Sequence, residues 1–109
     1  MIISTTPSLE NKKIIEYRGV VFGEVISGID FLKDFTASIT NFTGGRAEEY
    51  EQELVDARAD AINEMIQRAK KIGANALVGV KIDVDPISIG EKNSVMLMVV
   101  ASGTAVVTE

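Results

Sequence analysis

Side chains able to do chemistry are few in this sequence, and most of them are carboxylates. The chain contains neither cysteine nor histidine. Thiolate or imidazole metal sites, cysteine nucleophiles and histidine acid–base catalysis are therefore excluded within one chain. Asp83 and Asp85 lie two apart on a predicted strand and face the same way, and Glu91 follows nearby. They could hold Mg²⁺ or Ca²⁺ through oxygen ligands, or form the solvated face of an edge strand whose charges prevent aggregation.

Two further groups each have a functional and a structural interpretation. Gly44, Gly45 and Arg46 precede a long predicted helix and could bind an anion, or the glycines could form a tight turn. In the second interpretation Arg46 could still lie at a subunit interface. Met96 and Met98 could line a flexible apolar ligand site, or pack in the core or against another subunit.

Three polar residues of the long predicted helix form a third candidate group. Glu51 and Arg58 lie seven apart on one helix face, and Tyr50 adjoins them. They could frame a pocket between subunits, or Tyr50 could pack while the two charges form an ion pair. No acid–base pair suited to proton transfer is evident, so we expect a protein that is not an enzyme and has no cofactor.

Composition is typical of one globular domain spanning residues 1–109. The chain is 46% hydrophobic and 25% charged, and its net charge is −5. That negative charge argues against nucleic acid or an anionic membrane as a partner. The sequence shows no signal peptide, no run long enough for a membrane helix and no possible disulfide. We expect a cytoplasmic protein.

The elements that would position these residues begin with a strand and a short helix. Residues 14–27 are rich in β-branched and aromatic residues and predict a strand. Gly19 and Gly23 interrupt it, which suggests a bulge, a bend or a close backbone approach. A short amphipathic helix at about 31–42 follows from helical spacing of its large apolar residues, which are Phe31, Phe35, Ile39 and Phe42.

A long helix is predicted over about 46–72. Apolar residues recur along it at three- and four-residue steps. They are Tyr50, Leu54, Ala57, Ala61, Met65, Ala69 and Ile72, widened by Val55, Ile62 and Ile66. The alanines would let this helix approach its support closely, and Gly73 is placed to cap its C-terminus in the left-handed conformation.

Two strands follow the helix. In residues 75–86, Val78, Val80, Ile82 and Val84 are expected on one face, with Lys81, Asp83 and Asp85 on the other. Pro86 should end the regular pairing of this strand. Residues 94–107 form the third predicted strand, and Gly103 is expected to allow a bend or a close approach near its end.

These elements predict an α+β fold of two layers in the order β-α-β-β. The second and third strands are joined by a short connection and should be antiparallel. The first and second are joined through a helix and should be parallel. A small antiparallel sheet with the third strand central satisfies both conditions, and the long helix covers one face.

The third strand has two apolar faces, and the helix can cover only one. Its two alternating sets of candidate interface residues are Val95, Leu97, Val99 and Ala101, and Met96, Met98 and Val100. Large aliphatic side chains left in water form a patch of the kind found at association surfaces. We therefore expect the other face to meet a neighbouring subunit in a homo-oligomer, with a closed ring as the favoured arrangement.

Three segments resemble the YbjQ-like family of small bacterial and archaeal proteins. They are "GGRAEEYEQELVDARADAINEMI", "AKKIGANALVGVKIDVD" and "MLMVVASGTAV", together with the early "TTP" and "GVVFGEVISGID". The resemblance implies a fold similar to a dodecin subunit and a ring-shaped homopentamer. It also brings the family label "putative heavy-metal-binding", although soft metals prefer ligands that this chain lacks.

Three functions remain open from the sequence. The first is a non-enzymatic ring whose role is binding or scaffolding. The second is metal binding by carboxylates repeated around the ring. The third, suggested by the dodecin-like fold alone, is binding of a small aromatic ligand at subunit junctions, although fold alone does not determine function.

Overall fold

A computed structural model describes residues 1–29, 48–89 and 94–109 of the chain. Within these residues the chain forms four strands and one helix. In chain order the elements are β1 (Ile2–Ile3), β2 (Ile14–Ile29), α1 (Glu48–Lys71), β3 (Ala76–Ile89) and β4 (Ser94–Thr108). The short helix predicted at 31–42 and the Gly44, Gly45 and Arg46 group fall outside the described residues.

The strands form one sheet in the order β1-β3-β4-β2, with α1 packed on one face. β4 is antiparallel to both β2 and β3, which confirms the prediction that the last strand lies between the other two long strands. The expectation of a purely antiparallel sheet is wrong, because β1 pairs in parallel with β3 at Ala76 and Leu77. A strand of two residues is too short to show the alternation by which strands are predicted.

Helix α1 is held to the sheet by a stripe of small residues and one methionine. Ala57, Ala61, Met65 and Ala69 are all buried in the main core. Ile72, which was predicted to belong to this stripe, and Val55, which was predicted to widen it, are instead 40% and 46% exposed. Ile72 lies beyond the last residue of α1, where the chain turns away from the helix axis.

Gly73 ends α1 as its sequence position predicts. It adopts a positive φ of 83°. Its N–H donates to the carbonyl of Lys70 at 3.0 Å, and the N–H of Ala74 donates to the carbonyl of Ala69 at 3.1 Å. These two bonds are the Schellman arrangement, which satisfies carbonyls that the helix end would otherwise leave without partners.

The helix lies over β2 and β4 and makes little contact with β3. At Gly23 of β2, a Cβ would overlap the carbonyl of Ala61 and lie 2.7 Å from the nitrogen of Met65. One flank of α1 is fixed to β2 by polar contacts. The Arg68 guanidinium donates to the Phe22 carbonyl at 2.7 Å, and the Ser27 hydroxyl donates to the carboxylate of Glu53.

A bulge in β3 changes which side chains face the helix. The register shifts between Val78 and Lys81, and Gly79 takes a positive φ of 61°. Val78 therefore lies on the face opposite Val80, so the prediction that the two share a face is wrong. The bulge pairs with the N-terminal segment, because the N–H of Gly79 donates to the carbonyl of Thr6 at 2.8 Å.

Pro86 does not end the pairing of β3, contrary to the sequence expectation. The strand continues to Ile89, and Pro86 lies opposite Leu97 of β4. Beyond Leu77, β3 has no neighbouring strand on its other side within the described residues. Proline lacks an N–H donor, and it is tolerated at such a sheet edge.

A second, smaller cluster covers one end of the face that points away from α1. Ala76, Val78 and Val106 are buried there, and Leu9 and Ile14 pack against them. The segment before β2 thus shields this end of the sheet. The rest of the same face lies further along β2 and β4.

Candidate functional site

The face of the sheet opposite α1 carries a row of apolar side chains. In β2, alternate residues from Val20 to Ile26 point away from the helix, since Val21 and Val25 on the other face pack into the core. Their partners on β4 also point away from the helix. We define the outer patch as Val20, Phe22 and Ile26 of β2 with Met96, Met98 and Val100 of β4.

The outer patch is exposed to a degree unusual for large apolar residues. Val20 and Ile26 are each 63% exposed and Phe22 is 46% exposed. Fully burying one such side chain stabilises a structure by roughly 1.5–3 kcal/mol. Ile26 lies beside Met98 of β4, whereas Val20 and Phe22 lie opposite Thr104 and Ser102, and Glu24 separates them from Ile26. Exposed apolar residues gathered on one face are typical of a surface that contacts a partner.

The two alternating sets of apolar residues in β4 lie on opposite faces of the sheet. Val99 and Ala101 are completely buried beneath α1, and Leu97 is half-buried on the same side. Met96 and Met98 belong to the outer patch and are half-buried between the neighbouring strands. Val99 packs inside the subunit and is not available to a neighbour, and the side chain of Val95 lies outside the described residues.

The charged side chains beside the outer patch include the predicted carboxylate pair. Asp83 lies opposite Val100 and Asp85 lies opposite Met98, so both share the outer face, as their spacing predicted. The Lys81 ammonium lies 3.7 Å from the Asp83 carboxylate. Glu91, the third predicted ligand, is outside the described residues.

Glu24 lies on the same face of β2, between Phe22 and Ile26, and its side chain reaches round the edge of β2 toward the helix. The Arg68 guanidinium lies 3.2 Å from the carboxylate of Glu24 and also pairs with Glu64 one turn earlier on α1. These contacts bridge the free edge of β2 and the helix.

Sequence reasoning missed a second apolar surface on the helix side of β3. A helix about 10 Å across was expected to cover all three long strands, but α1 lies over β2 and β4. Ile82 and Val84 are consequently 36% and 37% exposed. We define the helix-side groove as Val55, Ile62 and Ile66 of α1 with Val80, Ile82 and Val84 of β3.

The predicted polar group on the long helix adjoins this groove. Arg58 lies three residues after Val55 and four before Ile62, which places it on the same flank of α1. Arg58 and Glu51 are both exposed. The side chain of Tyr50 is outside the described residues, so the structure places two of the three predicted members on the surface of α1.

Neither the helix nor the described carboxylates form a membrane-spanning or metal-binding unit. In the part of the chain that the structure describes, no helix is long and apolar enough to cross a membrane. In the same part, no three acidic side chains gather into a group able to hold a metal ion. The two apolar surfaces are the features that the geometry singles out.

Comparison with known proteins identifies relatives over the whole chain. A YbjQ family model described as "putative heavy-metal-binding" matches residues 1–109. A UPF0145 protein of Clostridium botulinum (strain Eklund 17B / Type B) is 61% identical over 109 residues and is covered completely, as is this chain. A UPF0145 protein of Acetivibrio thermocellus is 57% identical with the same complete coverage, and one of Listeria innocua is 58% identical with 96% of its length covered.

A solved structure shares the fold. The crystal structure of a protein of unknown function from Pediococcus pentosaceus, belonging to the DUF74 family, matches with a TM-score of 0.62. The match covers 100% of this chain and 98% of that protein, at 14% sequence identity. At this identity the likeness concerns the fold alone.

The donor groups of this chain do not fit a heavy-metal site. Soft metals are held by thiolate and imidazole ligands, and the sequence contains neither cysteine nor histidine. The carboxylates described above would suit a hard cation instead. The family description therefore does not transfer directly to the residues of this chain.

Proposed function

The chain belongs to the YbjQ family, and from that premise we propose that it is a non-enzymatic protein that assembles with copies of itself into a closed ring. The ring serves as a binding or scaffolding unit. The contact between copies includes the outer patch. The observation that carries this proposal is the exposure of Val20, Phe22 and Ile26 on the sheet face that also carries Met98 and Val100.

The shape of the subunit also supports assembly. Its radius of gyration is 17.6 Å, whereas a compact chain of this length is expected to have about 13 Å. It measures 55 × 29 × 17 Å, and among the described residues α1 covers only part of the sheet. An elongated subunit with a thin core gains stability when a neighbour covers the remaining face.

The number of copies and the comparison of the fold with dodecin are taken from the resemblance to the family. We propose five copies per ring and a subunit similar to that of dodecin. The order β2-α1-β3-β4, with β4 central, supports this comparison. Neither point is needed for the contact through the outer patch.

Two adjacent lysine substitutions test this contact. Met98→Lys places a charge in the outer patch, so we expect a folded chain whose mass by light scattering falls toward that of a single copy. Val99→Lys places the same charge in the core beneath α1, where an unpaired charge is strongly destabilising. We expect the second variant to lose its helical circular dichroism signal.

Gln67→Lys is the matched control, because Gln67 is exposed on α1 away from both apolar surfaces. This variant adds the same charge and should keep both the fold and the mass of the parent. A folded Met98→Lys variant with the parent's mass would show that the outer patch is not the contact.

A second candidate function is binding of a hard cation by carboxylates. The observation that favours it is that Asp83 and Asp85 share the outer face, in a family whose description names metal binding. A ring would repeat this pair around its axis. Oxygen ligands from several copies could then reach the six to eight that Ca²⁺ takes.

Titration calorimetry with Ca²⁺, Mg²⁺, Zn²⁺ and Cu²⁺ tests the second candidate. Heat at submillimolar metal that disappears in the Asp83→Asn and Asp85→Asn double variant would support it. Absence of heat with all four metals, or heat unchanged in the double variant, would remove it.

A further inference from the structure

The helix-side groove is the second exposed apolar surface of the subunit, and it lies on the opposite face of the sheet from the outer patch. Its floor is Ile82 and Val84 on β3, which α1 leaves exposed. Its wall is the flank of α1 that carries Val55 and the half-buried Ile62. The step between the helix and the sheet makes this surface concave, whereas the outer patch lies on an open sheet face.

The orientation of α1 identifies which flank forms this wall. Glu53 and Arg68 contact β2, so their flank faces the edge of the sheet at β2. β3 lies on the other side of β4. Val55 and Ile62 lie between a third and half of a turn round the helix from Glu53 and Arg68, and therefore face the β3 side. Arg58 lies between this flank and the stripe that packs on the sheet, about 40° from Ile62.

We propose that the helix-side groove of one copy receives the outer patch of the next copy. The contact is then heterologous, because each copy offers two different surfaces. This inference rests on the proposed function and specifies how its interface is built. A heterologous contact produces a closed ring when the rotation between copies closes, and a filament when it does not.

Coverage of the exposed surface favours this arrangement over two outer patches that face each other. A symmetric contact between outer patches would leave Ile82 and Val84 in water. A heterologous contact buries both surfaces of every copy by repeating one interface. Stable interfaces bury about 800 Å² per partner. The outer patch spans only seven residues of β2, or about 23 Å, so burial of the groove as well brings the contact closer to that area.

The charges beside the two surfaces also favour the heterologous contact. Asp85 lies beside the outer patch, opposite Met98, and Arg58 lies at the wall of the groove. Neither has an ion-pair partner among the residues that the structure describes. Facing outer patches would bring Asp85 near its own copies, whereas the heterologous contact offers it Arg58, and such pairs fix the orientation of an interface.

Chemical cross-linking tests the inference, because the chain has no cysteine of its own. Ile26→Cys marks the outer patch and Ile82→Cys marks the groove. The two positions lie on opposite faces of the sheet, so a short bis-maleimide cannot join them within one copy. We expect the double variant to form a ladder of cross-linked copies, while each single variant forms none.

The outcomes separate this inference from the proposed function. Cross-linked pairs from Ile26→Cys alone would show that outer patches face each other; such a two-fold contact closes at two copies, so this result would overturn both the heterologous contact and the ring built through the outer patch. A double variant with oligomeric mass and no cross-links would also overturn the inference. A parent protein with the mass of a single copy would overturn the proposed function itself.

A charge swap provides an independent test of the orientation. Arg58→Asp and Asp85→Arg should each weaken assembly by up to about five-fold, the effect of losing one ion pair at a surface. The double variant restores opposite charges across the contact, so its dissociation constant should return toward that of the parent. Additive weakening in the double variant would contradict the pairing of Arg58 with Asp85.

Discussion

Individual glycines set how closely the layers of this protein approach. Gly23 lies directly beneath α1, against the backbone of Ala61 and Met65. Gly103 lies under the same helix but meets the ends of side chains, with a Cβ there 3.1 Å from Cγ2 of Val80 and 3.5 Å from the sulfur of Met65. Backbone atoms cannot move aside as side-chain ends can.

Substitution of these two glycines by alanine should therefore have unequal effects. Gly23→Ala should reduce the free energy of unfolding by about 3 kcal/mol or more, because α1 must be displaced. Gly103→Ala should cost about 1 kcal/mol, because only Cγ2 of Val80 must shift, while the sulfur of Met65 is already at ordinary contact distance. Urea denaturation at one fixed protein concentration measures both, and equal losses would contradict this account of the packing.

Part of this residue-scale description could be predicted from the sequence. The interruption of the first strand by Gly19 and Gly23 predicted a bulge, a bend or a close backbone approach, and the structure shows a bulge and a close approach. Gly19 has a φ of 122° beside a register shift, and Gly23 makes the close approach. Which glycine does which could not be predicted, because it depends on where α1 crosses β2.

At the scale of elements, α1 and β4 follow from sequence pattern because each is long and strongly patterned. The stripe of Ala57, Ala61, Met65 and Ala69 lies against the sheet, and β4 takes the central position. The features that pattern did not show are local departures from it. A two-residue strand has no period, and the bulge at Gly79 inverts the alternation that assigned Val78 to a face.

The end of α1 provides a test at this scale. Gly73→Ala should lower the free energy of unfolding by about 1 kcal/mol, because a residue with a Cβ is disfavoured at positive φ. Space does not cause this loss, since a Cβ there lies 3.7 Å from the Arg18 side chain, which is ordinary contact. Gly73→Asn is the matched comparison, because asparagine tolerates this conformation better.

The expected order of stability is the parent, then Gly73→Asn, then Gly73→Ala. Thermal unfolding followed by circular dichroism measures it. An alanine variant as stable as the parent would show that the Schellman bonds of Gly73 and Ala74 do not determine where α1 ends.

At the scale of the whole molecule, the main feature is the mismatch between a long sheet and a shorter second layer. The subunit is 55 Å long, whereas a helix of 24 residues extends only about 36 Å. The sequence predicted that β4 has two apolar faces and needs a second cover. It could not predict the groove beside Ile82 and Val84, because the lateral position of α1 is set by its contacts with β2.

The outer patch and the helix-side groove also explain how a subunit with a small core can be stable. The largest fully buried side chains are few, and they are Met65, Leu77, Val99 and Val106. A chain of this size buries a smaller fraction of its surface than a larger domain does. Burial of the outer patch and the groove between copies would add to that core, so stability should rise with protein concentration.

The mass of the unmodified protein in solution tests the central claim most directly. Size-exclusion chromatography with light scattering, run over a dilution series at micromolar concentration, gives that mass without reference to shape. The account predicts a mass several times that of the 11.8 kDa chain, with five copies for the proposed pentamer. A folded protein that remains at 11.8 kDa throughout the series would contradict assembly through the outer patch.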